Sequence, residues 1–270
     1  MHRWKPELGL IQETLLLTLH ARARDSELPR PILGDTLSAD LARRIDYDFG
    51  NLKVKTNVVV TTALRSRKLD DAVEAYVAAH PGCVVLDLGC GLDTRMRRCD
   101  PPPGVDWYDV DFPAVVNLRS ERLHGRSHLI GANLTRSGWL TAVPDDRPAM
   151  IVAEGLLPFM PGDSFQALVR ALTGHFPAGE LAFNGYTRLA AWAMRYHPIM
   201  KTLGIEAAQG FDDAHEPESW EAGLELIEEQ ILTRAPEVAR FPQPLRALTR
   251  LTARSTTLSR QGARILRYRF

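Results

Sequence analysis

A short apolar run that ends in a glycine turn constrains the fold of this chain more than any other feature. Residues 83–86 read Cys-Val-Val-Leu, and residues 87–91 continue as Asp-Leu-Gly-Cys-Gly. A β-branched run of this length is typical of a strand that is buried on both faces of a parallel sheet. Glycines directly after such a strand let a ligand approach the backbone closely. The pattern therefore predicts a ligand site at the carboxyl end of this strand.

Strand patterns alternate with helical patterns along the chain, which predicts right-handed crossovers and a parallel sheet. Further strands are expected at 105–110, 127–131, 149–153 and 179–183, and helices at 163–175 and 188–203. The segment 223–233 fits either a helix or a strand. Residues 262–270 are expected to form an antiparallel strand, because only a short turn precedes them. The predicted fold class is α/β, a Rossmann-like sheet that is mostly parallel with an antiparallel terminal strand.

The first 80 residues carry helical rather than strand patterns. Apolar residues at helical spacing predict three helices, near 8–19, at 37–45 with Ser38 as its cap, and at 56–80. We predict that residues 1–80 form a helical region that helps to cover the cofactor and the substrate. Residues 81–270 are then expected to form the core, with a helical cap inserted at about 186–222.

An aspartate follows the second predicted strand at a spacing that suits a nucleoside. Asp111 lies 20 residues after Gly91, where a carboxylate accepts hydrogen bonds from ribose hydroxyls. Dinucleotide enzymes share this feature, but their third glycine is absent here, and Asp93 is expected to repel a pyrophosphate. S-adenosylmethionine has no phosphate and carries a sulfonium cation, so the turn favours this cofactor over NAD. A plain tight turn and an NAD(P)-dependent oxidoreductase remain the alternatives.

Several motifs occur in a fixed order along the chain. They are Arg65-Ser66-Arg67, Leu-Asp-Leu-Gly-Cys-Gly-Leu-Asp-Thr-Arg at 86–95, Tyr-Asp-Val-Asp-Phe-Pro at 108–113, Asn133-Leu134, and Ala-Glu-Gly-Leu at 153–156. In this order they resemble the leucine carboxyl methyltransferase family, and look closest to its tetracenomycin polyketide O-methyltransferase branch. Segments 31–35 and 45–48 resemble the N-terminal part of that family. The resemblance covers about residues 12–185 and fades beyond them.

The resemblance implies an S-adenosylmethionine-dependent O-methyltransferase, which leaves S-adenosylhomocysteine as its product. It implies that Gly89 and Gly91 line the methionine part of the cofactor and that Asp111 takes the ribose hydroxyls. It also places Asn133 and Leu134 beside the adenine. No metal is expected.

The resemblance further implies that Glu154 faces the methionine amino group. Arg65 is the candidate for the methionine carboxylate, because a guanidinium can pair with a carboxylate through two hydrogen bonds; Lys55 is a second candidate. The sequence departs from the family at two of these positions. Asn133 stands where the family often has aspartate, and Phe159 stands where it often has tyrosine.

Each of these residues also has a purely structural interpretation. Arg65 and Arg67 lie close to Asp70 in the sequence, so they could belong to an ordinary surface charge cluster. Residues 93–95 could cap a short helix and brace the fold. Phe159 could be a core residue rather than part of a substrate wall.

Large side chains in the cap region indicate where the methyl acceptor would bind. The candidate substrate residues are Phe159, Tyr186, Trp192 and Tyr196. They could line an apolar pocket for a small aromatic or polyketide-like metabolite, or they could pack in the core of the cap.

The motif region contains no convincing general base, which bears on the identity of the acceptor. His175, His197 and His215 are the histidines of the cap half, and His197 is the weak catalytic candidate. A carboxylate, with a pKa of about 4, is already ionised at neutral pH, whereas a phenol, with a pKa of about 10, benefits from a base. We therefore expect transfer to a carboxylate, with a hydroxyl as the alternative. A protein C-terminal carboxylate and a non-catalytic binding protein are further alternatives.

The charge balance argues against a nucleic-acid binder. Lysine and arginine number 33, aspartate and glutamate number 33, and the isoelectric point is near 7.1. Cys83, Cys90 and Cys99 form no CxxC pair, which fits reduced thiols in the cytoplasm. No secretory signal or membrane span is apparent. We expect a cytoplasmic monomer or homodimer whose partner is a small molecule.

Overall fold

The computed structural model describes residues 10–123, 125–194, 196 and 209–270, and these residues form one sheet of seven strands. The strands are β1 (Val84–Leu88), β2 (Asp106–Asp111), β3 (His128–Gly131), β4 (Ala149–Ala153), β5 (Gly179–Gly185), β6 (Glu225–Ile231) and β7 (Arg264–Arg269). Their order across the sheet is β3-β2-β1-β4-β5-β7-β6. The five strands expected between residues 83 and 183 are therefore confirmed.

Strands β1 to β5 are parallel and β1 lies at their centre, paired with β2 on one side and β4 on the other. Every residue of β1 and of β4 is buried, as continuous apolar runs require in a sheet covered on both faces. The strand order reverses between β1 and β4. Ligands of open α/β sheets bind outside the carboxyl ends of the strands at such a point, which is where the glycine turn lies.

Strand β7 is antiparallel to both of its neighbours, β5 and β6, so the antiparallel terminal strand is confirmed. It is inserted between them and does not lie at an edge of the sheet. The segment that fitted either a helix or a strand forms β6. Ion pairs between β6 and β7 explain why β6 is so polar, among them Arg269 with Glu225 and Arg264 with Glu229.

Helices cover both faces of the sheet. The α-helices of the described part are α1 (Leu10–Ser26), α2 (Thr36–Arg44), α3 (Thr56–Ala79), α4 (Arg95–Cys99), α5 (Pro113–Arg122), α6 (Ser164–His175), α7 (Arg188–Met194), α8 (Leu245–Ala253) and α9 (Thr256–Arg260). The three N-terminal helices and α6 confirm the helical periodicity of the sequence. Helix α7 covers the start of the helix expected at 188–203, and most of the remainder lies outside the described residues.

The N-cap of α2 is Asp35, and the assignment of Ser38 as the cap is wrong. The carboxylate of Asp35 accepts a hydrogen bond from the backbone N–H of Ser38 at 3.0 Å. Both residue types favour this role, but Ser38 lies one turn inside the helix, where its own hydroxyl donates to Asp35 at 2.5 Å.

The core is divided into two layers by the sheet. On one face, α3 packs residues such as Val60 and Leu64 against the strands, and on the other face α6 does the same with Phe165. Leu16 and Leu19 of α1 form a further cluster with Leu92, just beyond the glycine turn. The division into a cover, 1–80, and a core, 81–270, stays a prediction. No α-helix of the described residues is long and apolar enough to cross a membrane.

Candidate active site

The turn after β1 requires glycine at two positions. Gly89 and Gly91 have φ angles of +64° and +50°, a left-handed conformation that L side chains rarely adopt. A Cβ atom at Gly91 would lie 2.7 Å from Cδ2 of Leu15, and one at Gly89 would lie 3.2 Å from Cδ1 of Leu156. Helix α1 therefore lies directly over the turn, and neither Gly89 nor Gly91 adds a side chain to it.

Asp111 ends β2 with its carboxylate held by two backbone groups. The N–H of Gly91 donates to Oδ2 at 2.8 Å, and the N–H of Phe112 donates to Oδ1 at 2.7 Å. Burial raises the pKa of Asp111, and the two N–H donors oppose this shift. Since each carboxylate oxygen has a second lone pair, the group can still accept hydrogen bonds from vicinal hydroxyls. This geometry fits the ribose of S-adenosylmethionine.

Phe112 is a candidate that the sequence reasoning did not assign to the site. Its side chain is 42% exposed, although it directly follows the buried Asp111. A flat apolar ring next to the carboxylate that is predicted to bind ribose could pack on a nucleobase. The feature of the sequence that could have identified Phe112 is its position, one residue after Asp111.

The two residues predicted to flank the adenine have different environments. Asn133 is exposed, and its Oδ1 accepts hydrogen bonds from the N–H and the hydroxyl of Thr135 at 3.0 and 2.9 Å. Leu134 is 7% exposed and belongs to the main core. Their contacts with adenine stay a prediction.

Arg95 lies at the centre of a set of buried ion pairs below the glycine turn. Its side chain is 1% exposed. Nε donates to Asp70 at 2.9 Å, and Nη1 donates to both carboxylate oxygens of Asp87 at 3.0 Å. Nη2 donates to Glu154, at the end of β4, at 2.5 Å. Arg95 thus joins β1, β4 and α3, which confirms the bracing role for this residue, whereas Thr94, the N-cap of α4, makes no side-chain capping hydrogen bond.

Two more arginines extend these ion pairs to the N-terminal helices. Nη1 of Arg98 donates to Asp35 at 3.1 Å and to Asp93 at 2.6 Å. Arg22, on α1, donates to the carbonyl of Leu92 at 3.1 Å and lies 3.4 Å from Asp93. Helices α1 and α2 are therefore fixed to the glycine turn by buried charges.

The structure corrects the interpretation of Asp93. Its side chain is 7% exposed and pairs with Arg22 and Arg98, so it points into the protein. Burial opposes ionisation, but the arginine charges hold the pKa of Asp93 well below its usual value. A charge neutralised in this way does not repel a phosphate, and the argument against a dinucleotide that rested on Asp93 is wrong.

We call these groups the buried charge cluster. Its members are Arg22, Arg65, Arg95, Arg98, Asp35, Asp70, Asp87, Asp93 and Glu154. The carboxylates outnumber the arginines by one. Burial, together with the charges of Asp109 and Asp93, raises the pKa of Asp87 to about 7, although Arg95 opposes the shift. Asp87 therefore takes up a proton near neutral pH.

Glu154 and Arg65 are paired with each other. Nε of Arg65 donates to Glu154 at 2.8 Å, and the hydroxyl of Ser66 donates to the same carboxylate at 2.9 Å. Burial opposes ionisation, but Arg65 and Arg95 keep the pKa of Glu154 below its usual value. Nη1 of Arg65 also donates to the hydroxyl of Tyr186, at the end of β5, at 3.4 Å. The predicted contacts of Glu154 and Arg65 with the cofactor stay predictions.

Arg65 and Arg67 could both have belonged to an ordinary surface charge cluster, and this interpretation is right for Arg67 only. Arg67 is 38% exposed and pairs with Asp71 at 2.5 Å. Arg65 is 15% exposed at its side chain, and Asp70 is 1% exposed. The two arginines point in different directions because they are two residues apart on a helix.

Aromatic side chains are exposed where the chain leaves β4 and β5. Phe159 is 37% exposed, so its interpretation as a core residue is wrong. Trp192 and Tyr196 are 49% and 55% exposed, and their rings meet edge to face at 5.2 Å. The structure therefore leaves three candidate substrate residues open to solvent beyond the carboxyl edge of the sheet. His197 lies outside the described residues.

The order of the strands is that of Rossmann-like methyltransferases that use S-adenosylmethionine, and a buried carboxylate follows β2 beside the glycine turn. Asp111 and the bare glycine backbone fit this cofactor, which needs no phosphate site. Sequence comparison then gives the family. The chain belongs to the leucine carboxyl methyltransferase family, whose profile matches residues 15–173. The family expected from the motifs is confirmed.

Similar proteins support this assignment. The chain is 37% identical to the tetracenomycin polyketide synthesis O-methyltransferase TcmP of Streptomyces glaucescens, over 96% of this chain and 97% of that protein. It is 30% identical to the S-adenosyl-L-methionine-dependent methyltransferase dpfgK of Gibberella zeae, over 84% of each. A DUF574 family protein from Streptomyces avermitilis has the same fold, with a TM-score of 0.55 and 17% identity over 93% of this chain and 96% of that one.

Proposed function

We propose that the enzyme methylates an oxygen atom, foremost a carboxylate, of a small aromatic or polyketide-like metabolite. The observation that carries the proposal is the group of exposed aromatic side chains, Phe159, Trp192 and Tyr196, that follows β4 and β5. An aromatic acceptor can stack on such side chains beside the cofactor. The name of the Streptomyces glaucescens relative, a polyketide O-methyltransferase, supports the same class of acceptor.

The reaction is a direct displacement that needs alignment above all. The acceptor oxygen forms a bond to the methyl carbon as the bond from that carbon to sulfur breaks, and S-adenosylhomocysteine leaves as the neutral thioether. In the proposed arrangement Asp111 holds the ribose, Glu154 the amino group and Arg65 the carboxylate of the cofactor. Fixing both reactants lowers the barrier by several kcal/mol, because the entropic cost of alignment falls on binding.

The described histidines support an acceptor that is already ionised. Each of the five has a partner that is not a residue of the proposed site. The pairs are His20 with Phe49, His80 with Tyr76, His128 with Tyr108, His175 with Val143, and His215 with Glu218. None of these contacts involves Arg65, Glu154 or Tyr186, so no described histidine is paired within the proposed site, and a carboxylate that needs no base is the acceptor we favour; His197 lies outside the described residues.

A labelled methyl group tests the proposal. The enzyme is incubated with S-[methyl-³H]adenosylmethionine and with aromatic carboxylic acids, matched phenols and a protein extract. We expect label in the carboxylic acids, released as methanol by alkali, which cleaves esters and leaves aryl ethers intact. Alkali-stable label would move the target to a hydroxyl, and label in protein alone would overturn the metabolite assignment.

A thermal-shift comparison tests the cofactor independently. S-adenosylhomocysteine should stabilise the protein and NADPH should not, because the turn lacks the third glycine of dinucleotide sites. Stabilisation by NADPH alone would overturn the proposal. We further propose a cytoplasmic enzyme, a monomer or homodimer, that acts without nucleic acid or membrane.

A further inference from the structure

Exposed apolar side chains are concentrated at one edge of the molecule. Ten large apolar side chains of the described residues are exposed, and five of them follow the carboxyl ends of β2, β4 and β5. Three more are Leu248 and Leu251 of α8 and Leu258 of α9, which are 59%, 61% and 56% exposed. Scattered exposed leucines need no explanation, but a concentration at a ligand-binding edge does.

Helices α8 and α9 begin and end at the edge of the sheet that carries the active site. They lie in the connection from β6 to β7, and both Ile231 of β6 and Gly185 of β5 are paired with Arg264 of β7. Because Gly185 is the last residue of β5, the connection leaves and re-enters the sheet at its carboxyl edge. The two helices are therefore placed on the same side as the glycine turn.

A hydrogen bond connects α9 to the segment that carries the candidate substrate residues. The hydroxyl of Thr187 donates to Oε1 of Gln261, the residue after α9, at 2.8 Å. Thr187 directly follows Tyr186, whose hydroxyl accepts a hydrogen bond from Arg65. The end of α9 thus lies against the start of α7, next to the proposed acceptor site.

The same connection carries a strong positive charge in a chain that is neutral overall. Residues 232–262 contain six arginines and one acidic residue, Glu237, which is paired with Lys68 at 2.6 Å. Arg250 and Arg254 are exposed, and neither forms an ion pair with any residue that the structure describes. The exposed leucines are therefore accompanied by two uncompensated guanidinium groups.

We propose that Leu248, Leu251, Leu258, Arg250 and Arg254 form an outer wall of the acceptor site. The wall fits an acceptor that is larger than one aromatic ring, mainly apolar, and negatively charged. The inference rests on the proposed function and extends it by giving the size and charge of the acceptor. A membrane is a poorer occupant, because three leucines on helices of nine and five residues offer little area compared with an interfacial helix.

Two fluorescent probes that differ by one group test the wall. 8-Anilino-1-naphthalenesulfonate is an apolar aromatic anion, and N-phenyl-1-naphthylamine is the same skeleton without the sulfonate. We expect the anion to bind the S-adenosylhomocysteine complex more tightly than the neutral probe. In the double variant Leu251→Ser/Leu258→Ser, the affinity for both probes should fall by about tenfold, because apolar contact area is lost. In the double variant Arg250→Gln/Arg254→Gln, the preference for the anionic probe should disappear, and the affinity for the neutral probe should stay unchanged.

Ile227→Ser serves as the matched control, because Ile227 is 39% exposed and lies on β6, outside the wall. It should leave the binding of both probes unchanged. Loss of probe binding in this control as well, or unchanged binding in both wall variants, would overturn the proposal. A sedimentation coefficient that falls in the leucine variant would overturn it too, since the face would then join two copies of the chain.

Binding of S-adenosylhomocysteine separates this proposal from the proposed function. The wall variants should bind it with unchanged affinity, because among the described residues no wall side chain is hydrogen-bonded or ion-paired to Arg65, Asp111 or Glu154. If the wild type binds neither S-adenosylhomocysteine nor S-adenosylmethionine, the proposed function fails. If the wild type binds these ligands normally and both wall variants bind the probes as tightly as the wild type does, only the proposal of the outer wall fails.

Discussion

The guanidinium of Arg95 donates to the carboxylate of Glu154 at 2.5 Å, and this contact joins the helix after the glycine turn to the end of β4. Both side chains are almost fully buried. A residue proposed to bind the cofactor is therefore held by a residue that supports the fold. Changes at this pair should affect both stability and cofactor binding, whereas changes at the edge of the site should affect binding alone.

Replacing Arg95 should be costly. Arg95→Met removes the partner of Asp87 and one partner of Asp70, and it leaves two buried carboxyl groups without these hydrogen-bond donors. We expect the free energy of unfolding in urea to fall by about 3–5 kcal/mol. Arg43→Met is the control, because the Arg43–Asp40 pair is exposed and should contribute less than about 1 kcal/mol. Similar losses in both variants would contradict the central position of Arg95.

The raised pKa of Asp87 should make its contribution to the free energy of unfolding depend on pH in the direction opposite to that of a carboxylate with a lowered pKa. Its pKa is about 7 in the folded protein and 3.8 in an ordinary setting, so between these values the folded state binds more protons than the unfolded state. The contribution of Asp87 to the unfolding free energy therefore falls as pH rises through this window. Asp87→Asn removes that slope.

Urea denaturation at about pH 5 and about pH 8 checks this prediction. Relative to the wild type, Asp87→Asn should be more stable at the higher pH than at the lower one, by at most about 3 kcal/mol, because the folded pKa of about 7 lies two units above pH 5. Asp100→Asn, at a side chain that is 89% exposed, should show no such change. A constant difference between Asp87→Asn and the wild type at both pH values would contradict the raised pKa.

Asp111 should control affinity for the nucleoside. In Asp111→Asn the side chain keeps one acceptor but loses its charge, so hydrogen bonds from ribose hydroxyls weaken. Calorimetry should show that binding of S-adenosylhomocysteine weakens by about tenfold to a hundredfold. Asp106→Asn is the matched control, since Asp106 starts the same strand and pairs with Arg147 at 2.8 Å. Equal affinity of Asp111→Asn and Asp106→Asn for S-adenosylhomocysteine would contradict the proposed role of Asp111.

The contact between α1 and the glycine turn can be tested with a double-mutant cycle. Gly91→Ala places a methyl group at a φ of +50° and against Leu15, so it should destabilise the protein by about 1–2 kcal/mol or more. Leu15→Ala removes the clash, and the double variant should lose less stability than the sum of the single losses. Gly138→Ala, which meets nothing within 4 Å, is the control. Strict additivity would show that Leu15 does not press on the turn.

Local patterns in the sequence were sufficient for most of the fold. Strands β1 and β4 were predictable because a strand buried on both faces is a continuous apolar run. Segment 223–233 was ambiguous because its acidic residues hide the alternation of a strand, and their arginine partners on β7 lie about 40 residues away. The insertion of β7 between β5 and β6 was not predictable, since strand order leaves no local pattern.

The ion pairs of the site could be predicted only in part. The motifs gave Asp111 and Glu154, but Arg22 contacts Asp93 across about 70 residues, and no periodicity marks such a pair. Without that partner Asp93 looked like a charge that faces the ligand. Burial of a charged residue is decided by its distant partners, which a single sequence does not show.

The position of β7 has a consequence for the synthesis of the protein. Strands β5 and β6 become neighbours only through Arg264–Arg269, which pair with both of them. On the ribosome, a nascent chain that lacks these residues has β5 as an exposed edge strand, with unpaired N–H and C=O groups. Such a chain is prone to aggregate with others like it, so the interval before β7 emerges is when a chaperone would protect it most.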